Sequence, residues 1–475
     1  MTITESLVEM RTSGDPRESV EKEEYAVSGK PTREELKQRV VEEIDQRADE
    51  IKQIGRTIWS HPELGYKERK TGGVMTGVFD RLGIPHRTGI AMTGVKGRLS
   101  GRSAGGTVAV AGDMDSVVCP EHPNADLETG SAHSCGHHGQ VTAVLATAIA
   151  LAASGAMQYL DGEVQFVGMP AEEYVELDFR KRLVDKGLVS FIGGKASWIA
   201  LGELDGIDLY LASHYHDLGD KVVGAQRGGT NGFIGKMISF KGRDAHAGSS
   251  PHQGINALNA AIVGLVALNA QRETFLEADL IRIHPIITKG GDLVNVVPAD
   301  VRLETYVRGK TLDGIWAANA KLERSMRAGA MALGAEVEIE TMPGYLPQRP
   351  DLAIPLVLDL LDENAIGLFG EAKVARGSPS EFTTGSSDFG DVSHIIPAAR
   401  ISTGGMTGAG HSKYFRVVDE DAAYIAPAKV LSTTIVDLLW DGAALLKQAK
   451  ASYKPVFTAE SYVKMWEEAM RKEGS

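Results

Sequence analysis

Gly106-Thr107-Val108-Ala109-Val110-Ala111-Gly112-Asp113 reads as a buried strand that runs out into acidic residues, and the chain repeats the plan. Gly162 to Met169 is a second such strand, delivering Pro170-Ala171-Glu172-Glu173 at its end. Asp208-Leu209-Tyr210-Leu211-Ala212-Ser213-His214 is a third, with a histidine at its tip. Between the first two, Val141 to Ala153 is rich in Ala and Leu and predicts a buried helix. Apolar strands that alternate with helices and carry polar residues at their ends predict an α/β fold. Its centre is an open, mostly parallel sheet with helices on both faces.

The loop after the first strand is His133-Ser134-Cys135-Gly136-His137-His138. It offers a thiolate and several imidazoles, and the Glu172-Glu173 loop offers paired carboxylates. Zinc and its neighbours prefer such ligands. A carboxylate left off the metal serves as general base beside a metal-activated water. Metal-assisted hydrolysis is the chemistry this pairing predicts.

With 475 residues the chain exceeds one ordinary core, so more than one domain is expected. A hydrophobic content of 43% with 24% charged residues is that of a globular protein. The formal charge of -13 argues against nucleic acid or anionic membrane as partner. The 2 cysteines, Cys119 and Cys135, build no disulfide framework and fit a reducing compartment. Met1 to Asp15 lacks a basic region followed by an apolar core, and no uninterrupted apolar run approaches membrane-spanning length, so the cytoplasm is expected.

Residues 1–30 are polar and aperiodic, a flexible N-terminal arm by this reading. A helix is expected from Thr32 to Ile58. The pattern changes near Gly224. Strands at Gly232 to Lys241, Ala299 to Arg308 and Ala335 to Thr341 alternate with helices at Asn256 to Asn269 and Thr311 to Leu333. That rhythm is the β-α-β-β-α-β order of an inserted ferredoxin-like α+β domain. The expected division is therefore a catalytic domain from 31–224 and 342–475, with an inserted dimerisation or lid domain at 225–341. A polar tail with one helix follows about residue 448.

From about Ile58 to Phe415 the sequence resembles the aminoacylase/carboxypeptidase group of metal-dependent amidohydrolases, peptidase family M20. Hippurate, auxin-conjugate and aminobenzoyl-glutamate hydrolases are the nearest in pattern. The landmarks are His61-Pro62-Glu63-Leu64-Gly65, Asp113-Met114-Asp115, Cys135-Gly136-His137, Pro170-Ala171-Glu172-Glu173, Gly242-Arg243-Asp244-Ala245-His246, Asn295-Val296-Val297-Pro298 and Gly410-His411-Ser412.

The resemblance implies two divalent metal ions per subunit, zinc or manganese with cobalt also suitable. Cys135, His137, Glu173, His214 and His411 are the implied ligands, with His216 the second choice to His214. Glu172 becomes the general base, and Asp115 orients a ligand imidazole. Asp113 stays open between a weak ligand and a polar strand end. In the inserted domain, His246 is expected to stabilise the oxyanion, from the partner subunit of a homodimer formed through that domain. Asn295 and Arg308 are expected to hold a substrate carboxylate or carbonyl.

Three features depart from the pattern. His138 and Gln140 stand where relatives carry Asp and His, Tyr174-Val175-Glu176 replaces a glycine-rich loop, and the stretch from Glu173 to Asp208 is long. His138 and Tyr174 are candidate substrate contacts on this reading, with His138 equally a replacement for a solvated Asp.

The expected activity is hydrolysis of a small amide, an N-acyl or N-aroyl amino acid or a dipeptide-like compound. The alternative keeps the machinery and removes an amino group from an aromatic amine. A silent binding protein on this fold should have lost the base or several ligands, and all are present.

Overall fold

The computed structural model describes residues 30–470 and the backbone of 473–474. The expected arm lies outside the described residues except for Lys30. Strands follow in the order β1 (His86–Ile90), β2 (Gly94–Ser100), β3 (Ser103–Asp113), β4 (Asp161–Met169), β5 (Leu209–Tyr215), β6 (Val223–Ala225), β7 (Gly232–Lys241), β8 (Arg282–Ile283), β9 (Ile286–Lys289), β10 (Asp300–Gly309), β11 (Glu336–Tyr345), β12 (Ala398–Thr403) and β13 (Glu473–Gly474). The helices that matter here are α1 (Arg33–Gln46), α2 (Ala48–Trp59), α3 (Arg69–Leu82), α4 (His137–Ala153), α5 (Leu177–Asp185), α6 (Gly194–Ala200), α7 (Ala257–Ala270), α8 (Leu312–Leu333), α9 (Pro355–Phe369), α10 (Ala426–Leu439) and α11 (Ala459–Ala469).

The first sheet has the order β1-β2-β4-β3-β5-β12-β6. Its four inner strands, β4, β3, β5 and β12, run parallel, and antiparallel strands flank them. This is the mainly parallel α/β sheet that the strand-and-helix alternation predicts. Val108, Val110, Val164, Phe166, Leu209 and Leu211 face a core closed by α4, α1, α2 and α10. α1 starts at a capping box in which Thr32 Oγ1 accepts from Glu35 N and Glu35 Oε2 accepts from Thr32 N. Residues Asp421–Leu439 have the length and apolarity to cross a membrane, but 94% of that stretch is buried inside the fold, as befits a core helix.

The second sheet is antiparallel, in the order β8-β10-β7-β11-β13, with β9 also paired to β10. The short β8 and β9 supply the strand that the sequence pattern leaves unnamed. α7 and α8 cover one face and cross where Gly264 meets Gly329. A Cβ on Gly329 would lie 2.4 Å from the Ala260 carbonyl oxygen, so only glycine permits the approach.

The C-terminal segment does not stay with the first sheet. α11 packs on α6 and on β11 of the second sheet, and its Tyr462 and Trp466 are fully buried.

Candidate metal centre

Parallel strands put their C-terminal ends along one edge, and every motif residue of the first sheet collects there. β3 ends at Asp113 and leads to Asp115. The following loop turns at Gly136 (φ 88°) and opens α4 with His137. A Cβ on Gly136 would lie 2.8 Å from Tyr215 Cβ, so the turn that separates Cys135 from His137 requires glycine. β4 delivers Glu172 and Glu173, and β5 delivers His214.

Donor atoms converge. Cys135 Sγ lies 3.9 Å from His214 Nε2, and these two form one donor group with His137. Cys135, Glu173 and His411 form a second group, and His137, Glu172 and Glu173 a third. His137 Nδ1 sits 2.9 Å from the Asp115 carbonyl oxygen and 3.4 Å from its carboxylate, which aims Nε2 inward. Nε2 is 3.7 Å from Glu172 Oε2 and 3.9 Å from Glu173 Oε1, too far for a hydrogen bond. His411 Nε2 approaches Glu173 Oε1 to 3.1 Å without hydrogen-bond geometry. Buried His137 Nε2 and Glu173 Oε1 thus have no hydrogen-bond partner among the described residues. Thiolate, imidazole and carboxylate atoms facing one space with partners missing fit a borderline-soft divalent ion.

Charge follows this packing. Burial works against ionised Glu173, yet His411 and His137 outweigh it and bring the carboxyl down to about 2. Burial first, and the Glu173 charge second, push Glu172 up to about 7. Cys135 and then Glu173 hold His411 at about 11. Burial, with Arg400 next, drives His214 well below the usual histidine range, leaving it a neutral imidazole.

The loop that carries Glu172 and Glu173 is strained and strapped. Ala171 adopts a left-handed conformation (φ 53°). Its N–H donates to Glu68 Oε1 at 2.8 Å, and its carbonyl accepts from Gly194 N at 3.1 Å. Asp115 Oδ2 accepts from Glu173 N at 2.9 Å, and Tyr345 OH donates to the Glu172 carbonyl. Ser387 Oγ donates to Glu172 Oε1 at 3.0 Å and accepts from Arg400 Nη1 at 3.4 Å. Arg180 of α5 lies fully buried beneath, over the Tyr66 ring and 3.9 Å from Asp115 Oδ2.

Asp113 points elsewhere. Buried Lys195 donates to both Asp113 Oδ1 and Asp388 Oδ1, the latter at 2.6 Å. Asp113, Asp388 and Glu172 form a carboxylate group whose ligand atoms lie within 4.8 Å of one another.

The remaining expected residues divide by position. Arg308 reaches from β10 to Ser386 Oγ at 3.2 Å and lies over Phe233 and Tyr306. His246 and Asn295 are exposed on neighbouring loops of the second sheet, where Ala247 N donates to the Asn295 carbonyl. His246 Nδ1 accepts from Gly248 N and Ser249 N, each at 3.1 Å, and no interaction joins this residue to the donor cluster among the described residues. His216 neighbours His214, with ring centroids 5.5 Å apart, but belongs to none of the donor groups. His138 turns away from the cleft: the first turn of α4 buries it against Trp59, His133 and Tyr424. Tyr174 is buried at the junction of the two sheets, among Phe233, Tyr306 and Tyr345, with its OH donating to the Pro343 carbonyl at 2.6 Å.

Sequence reasoning missed Lys195, Asp388, Ser387, Arg180 and Arg400. Only Arg400 carried a readable signal, a lone charge in the otherwise uncharged Ala398-Ala399-Arg400-Ile401-Ser402-Thr403.

Comparison with known proteins supplies the frame. Residues 109–437 match the family described as peptidase family M20/M25/M40. The Xaa-Arg dipeptidase of Mus musculus is 26% identical over 88% of this chain and 92% of its own. The N-acyl-L-amino acid amidohydrolase of Geobacillus stearothermophilus is 28% identical over 64% of this chain and 80% of its own. Among solved structures, a Bacillus subtilis dinuclear metal binding peptidase superposes with a TM-score of 0.60 at 22% identity, covering 83% of this chain and 99% of the other.

Proposed function

We propose that this chain, which belongs to peptidase family M20/M25/M40, is a metal-dependent amidohydrolase that releases an amino acid from its N-acyl or N-aroyl derivative or from a dipeptide-like amide. One observation carries the reading: Cys135, His137, His214, Glu173 and His411 turn donor atoms toward one space, with Glu172 beside them. The Geobacillus relative acts on N-acyl-L-amino acids by name, which agrees with the bond chosen.

The overlapping donor groups, Cys135 with His137 and His214 and Cys135 with Glu173 and His411, would hold divalent ions. Thiolate and imidazole ligands favour zinc, and the carboxylates also suit manganese. Ions held there would polarise the amide carbonyl and make water a competent nucleophile at neutral pH. Glu172, steadied by Ser387, takes the proton of the attacking water and delivers it to the departing nitrogen. A carboxyl raised to about 7 is suited to both transfers. Asp115 fixes the His137 imidazole through Nδ1. Arg308 receives the substrate carboxylate.

His246 and Asn295 lie on the second sheet, apart from their own cluster, so the oxyanion contact is assigned to the partner subunit of a homodimer. Exposed Ile262, Val263 and Val266 of α7 and Ile286 and Ile287 of β9 supply apolar surface for that contact.

The test is metal analysis of the purified protein with turnover of N-acyl amino acids, followed as free amino acid and as ammonia. Glu172→Gln should retain metal and lose turnover by about 10³-fold or more. Turnover at the wild-type rate in that variant would remove the mechanism, and ammonia from an aromatic amine as the sole product would replace amide hydrolysis with deamination.

A further inference from the structure

The stretch after Glu173, where the sequence departs from the family pattern, folds into α5 and drives one arginine beneath the donor cluster. α5 turns Leu177, Arg180 and Leu183 inward, one helical turn apart, and leaves Asp178, Arg182 and Asp185 exposed. A fully buried guanidinium thus occupies the middle of an apolar stripe. The segment is held from both sides. Lys67 Nζ pairs with Glu176 at 2.7 Å, Lys181 Nζ pairs with Glu340 of β11 at 2.9 Å, and Tyr66 OH donates to the Phe191 carbonyl at 2.9 Å.

Arg180 stands where three parts of the site meet. Nη1 donates to the Ala171 and Ile192 carbonyls, each at 3.4 Å, and Nη2 faces Asp115 Oδ2 at 3.9 Å. A Cβ on Gly65 would lie 2.2 Å from Nη2, so the motif that begins at His61 makes room for this group with a glycine. Nε and Nη2 have no hydrogen-bond partner among the described residues, and the two bonds from Nη1 are long. Hydrogen bonding alone does not account for burying this side chain. What it adds is a charge at the back of Asp115, whose Oδ1 lies 3.4 Å from His137 Nδ1. Tyr66 (φ 63°) and Ala171 (φ 53°), on either side of the guanidinium, are left-handed without being glycine, a conformation that persists only where its surroundings hold it.

We propose that Arg180 is a positioning residue of the metal centre, holding the Asp115 carboxylate behind His137 and the Ala171 carbonyl ahead of Glu172 as one frame. This role rests on the donor cluster's being a metal centre. Asp115 Oδ2 accepts from Glu173 N at 2.9 Å on one side and faces Arg180 on the other. One carboxylate thereby ties the orientation of the His137 imidazole to the place of Glu173, and the guanidinium keeps it from turning. Arg180 arrives with α5, outside every motif by which the sequence resembles the family.

Two measurements on the full-length protein read the frame without turnover: metal affinity by competition with a chromogenic chelator, and the visible spectrum of the cobalt-loaded form. Arg180→Ala should weaken metal binding about 10–100-fold, as loss of the support behind a ligand does, and should shift the cobalt bands. Millimolar guanidinium chloride should restore both, and urea at the same concentration should restore neither. That recovery separates a displaced frame from a misfolded chain. Arg180→Lys keeps the charge and most of the volume but lacks the planar fork that spans the Ala171 carbonyl and Asp115, so it should stand between the two. In a double-mutant cycle, Asp115→Asn should add little to Arg180→Ala, because the arginine acts through that carboxylate.

Removing a cation from the neighbourhood of a divalent ion would, by charge alone, tighten its binding. Tighter or unchanged metal binding in Arg180→Ala therefore overturns the proposal, as do losses in Arg180→Ala and Asp115→Asn that simply add. A wild type that binds no metal overturns the metal-centre reading and the proposal together. Bound metal and amide turnover in the wild type, with an unaffected Arg180→Ala variant, overturn the proposal alone.

Discussion

Replacing Lys195 with Met is the sharpest test of how the site is assembled. Lys195 is 2% exposed and binds Asp113 and Asp388, and Glu172 completes the same carboxylate group. Methionine fills nearly the same volume but removes the cation bound to Asp113 and Asp388, leaving only the more distant Arg400 to act on all three acids. Removing one partner of a buried ion pair costs about 3–5 kcal/mol, because the other charge stays behind without compensation. The deficit must depend on pH in a fixed direction. In the variant, the Asp388 and Glu172 values, already raised by burial, rise further above those of the unfolded chain, so the folded form binds extra protons as pH falls. The loss relative to wild type is therefore largest near pH 8 and shrinks toward pH 5. Added Mg²⁺, Mn²⁺ or Ca²⁺ should restore part of it, since the acidic oxygens lie within 4.8 Å of one another. Urea unfolding followed by tryptophan fluorescence, at both pH values and with each cation, reads all three effects. A variant as stable as wild type at pH 8 refutes the reasoning, for then Lys195 does not neutralise the cluster.

Three further outcomes are expected. Asp115→Asn should weaken metal binding about 10–100-fold, measured by competition with a chromogenic chelator, because the support behind His137 loses its charge; unchanged affinity would detach Asp115 from the centre. A Cβ on Gly194 would lie 1.7 Å from the Pro170 carbonyl oxygen, so Gly194→Ala must displace the loop that carries Glu172. Its kcat should fall about 10²-fold with metal content retained, and wild-type kcat would show that the loop tolerates the shift. Burial pushes Asp391 from the ordinary carboxyl value near 3.8 to about 8, against the donors Leu346 N and Tyr462 OH. The folded protein then keeps a proton that the unfolded chain has released, so this residue's contribution falls as pH climbs from about 4 through 8. Asp391→Asn should flatten that decline in unfolding midpoints, and an unchanged slope would assign it to other groups.

The parallel sheet was legible because β3, β4 and β5 are apolar runs ending in polar residues, a pattern with few other readings. Cys135, His137, Glu172, Glu173 and His411 were legible because each stands in a short motif whose local geometry is nearly self-contained. Lys195 and Asp388 were not, since a buried pair joined across the chain leaves no local trace and each residue alone resembles a surface charge. His138 and Tyr174 were read as lining the mouth from their place in the motifs. One turn of helix puts His138 on the core side of α4, and the segment carrying α5 draws Tyr174 into the seam between the sheets. The short β8 and β9 escaped because two to four residues carry no period of their own.

The placement of α11 bears on how the chain is made. β12 enters the interior of the first sheet only after residue 403 exists, whereas the whole second sheet through β11 is available earlier. Tyr462 and Trp466 then fill the seam on which both sheets rest, and they follow β12 in the chain by about 60 residues. Strands β7 to β11 can therefore pair before β12 is synthesised, and the edge that gathers the donor groups closes only after it. Loss of α11 would strip the seam between the two sheets, although it removes none of the residues of the donor groups.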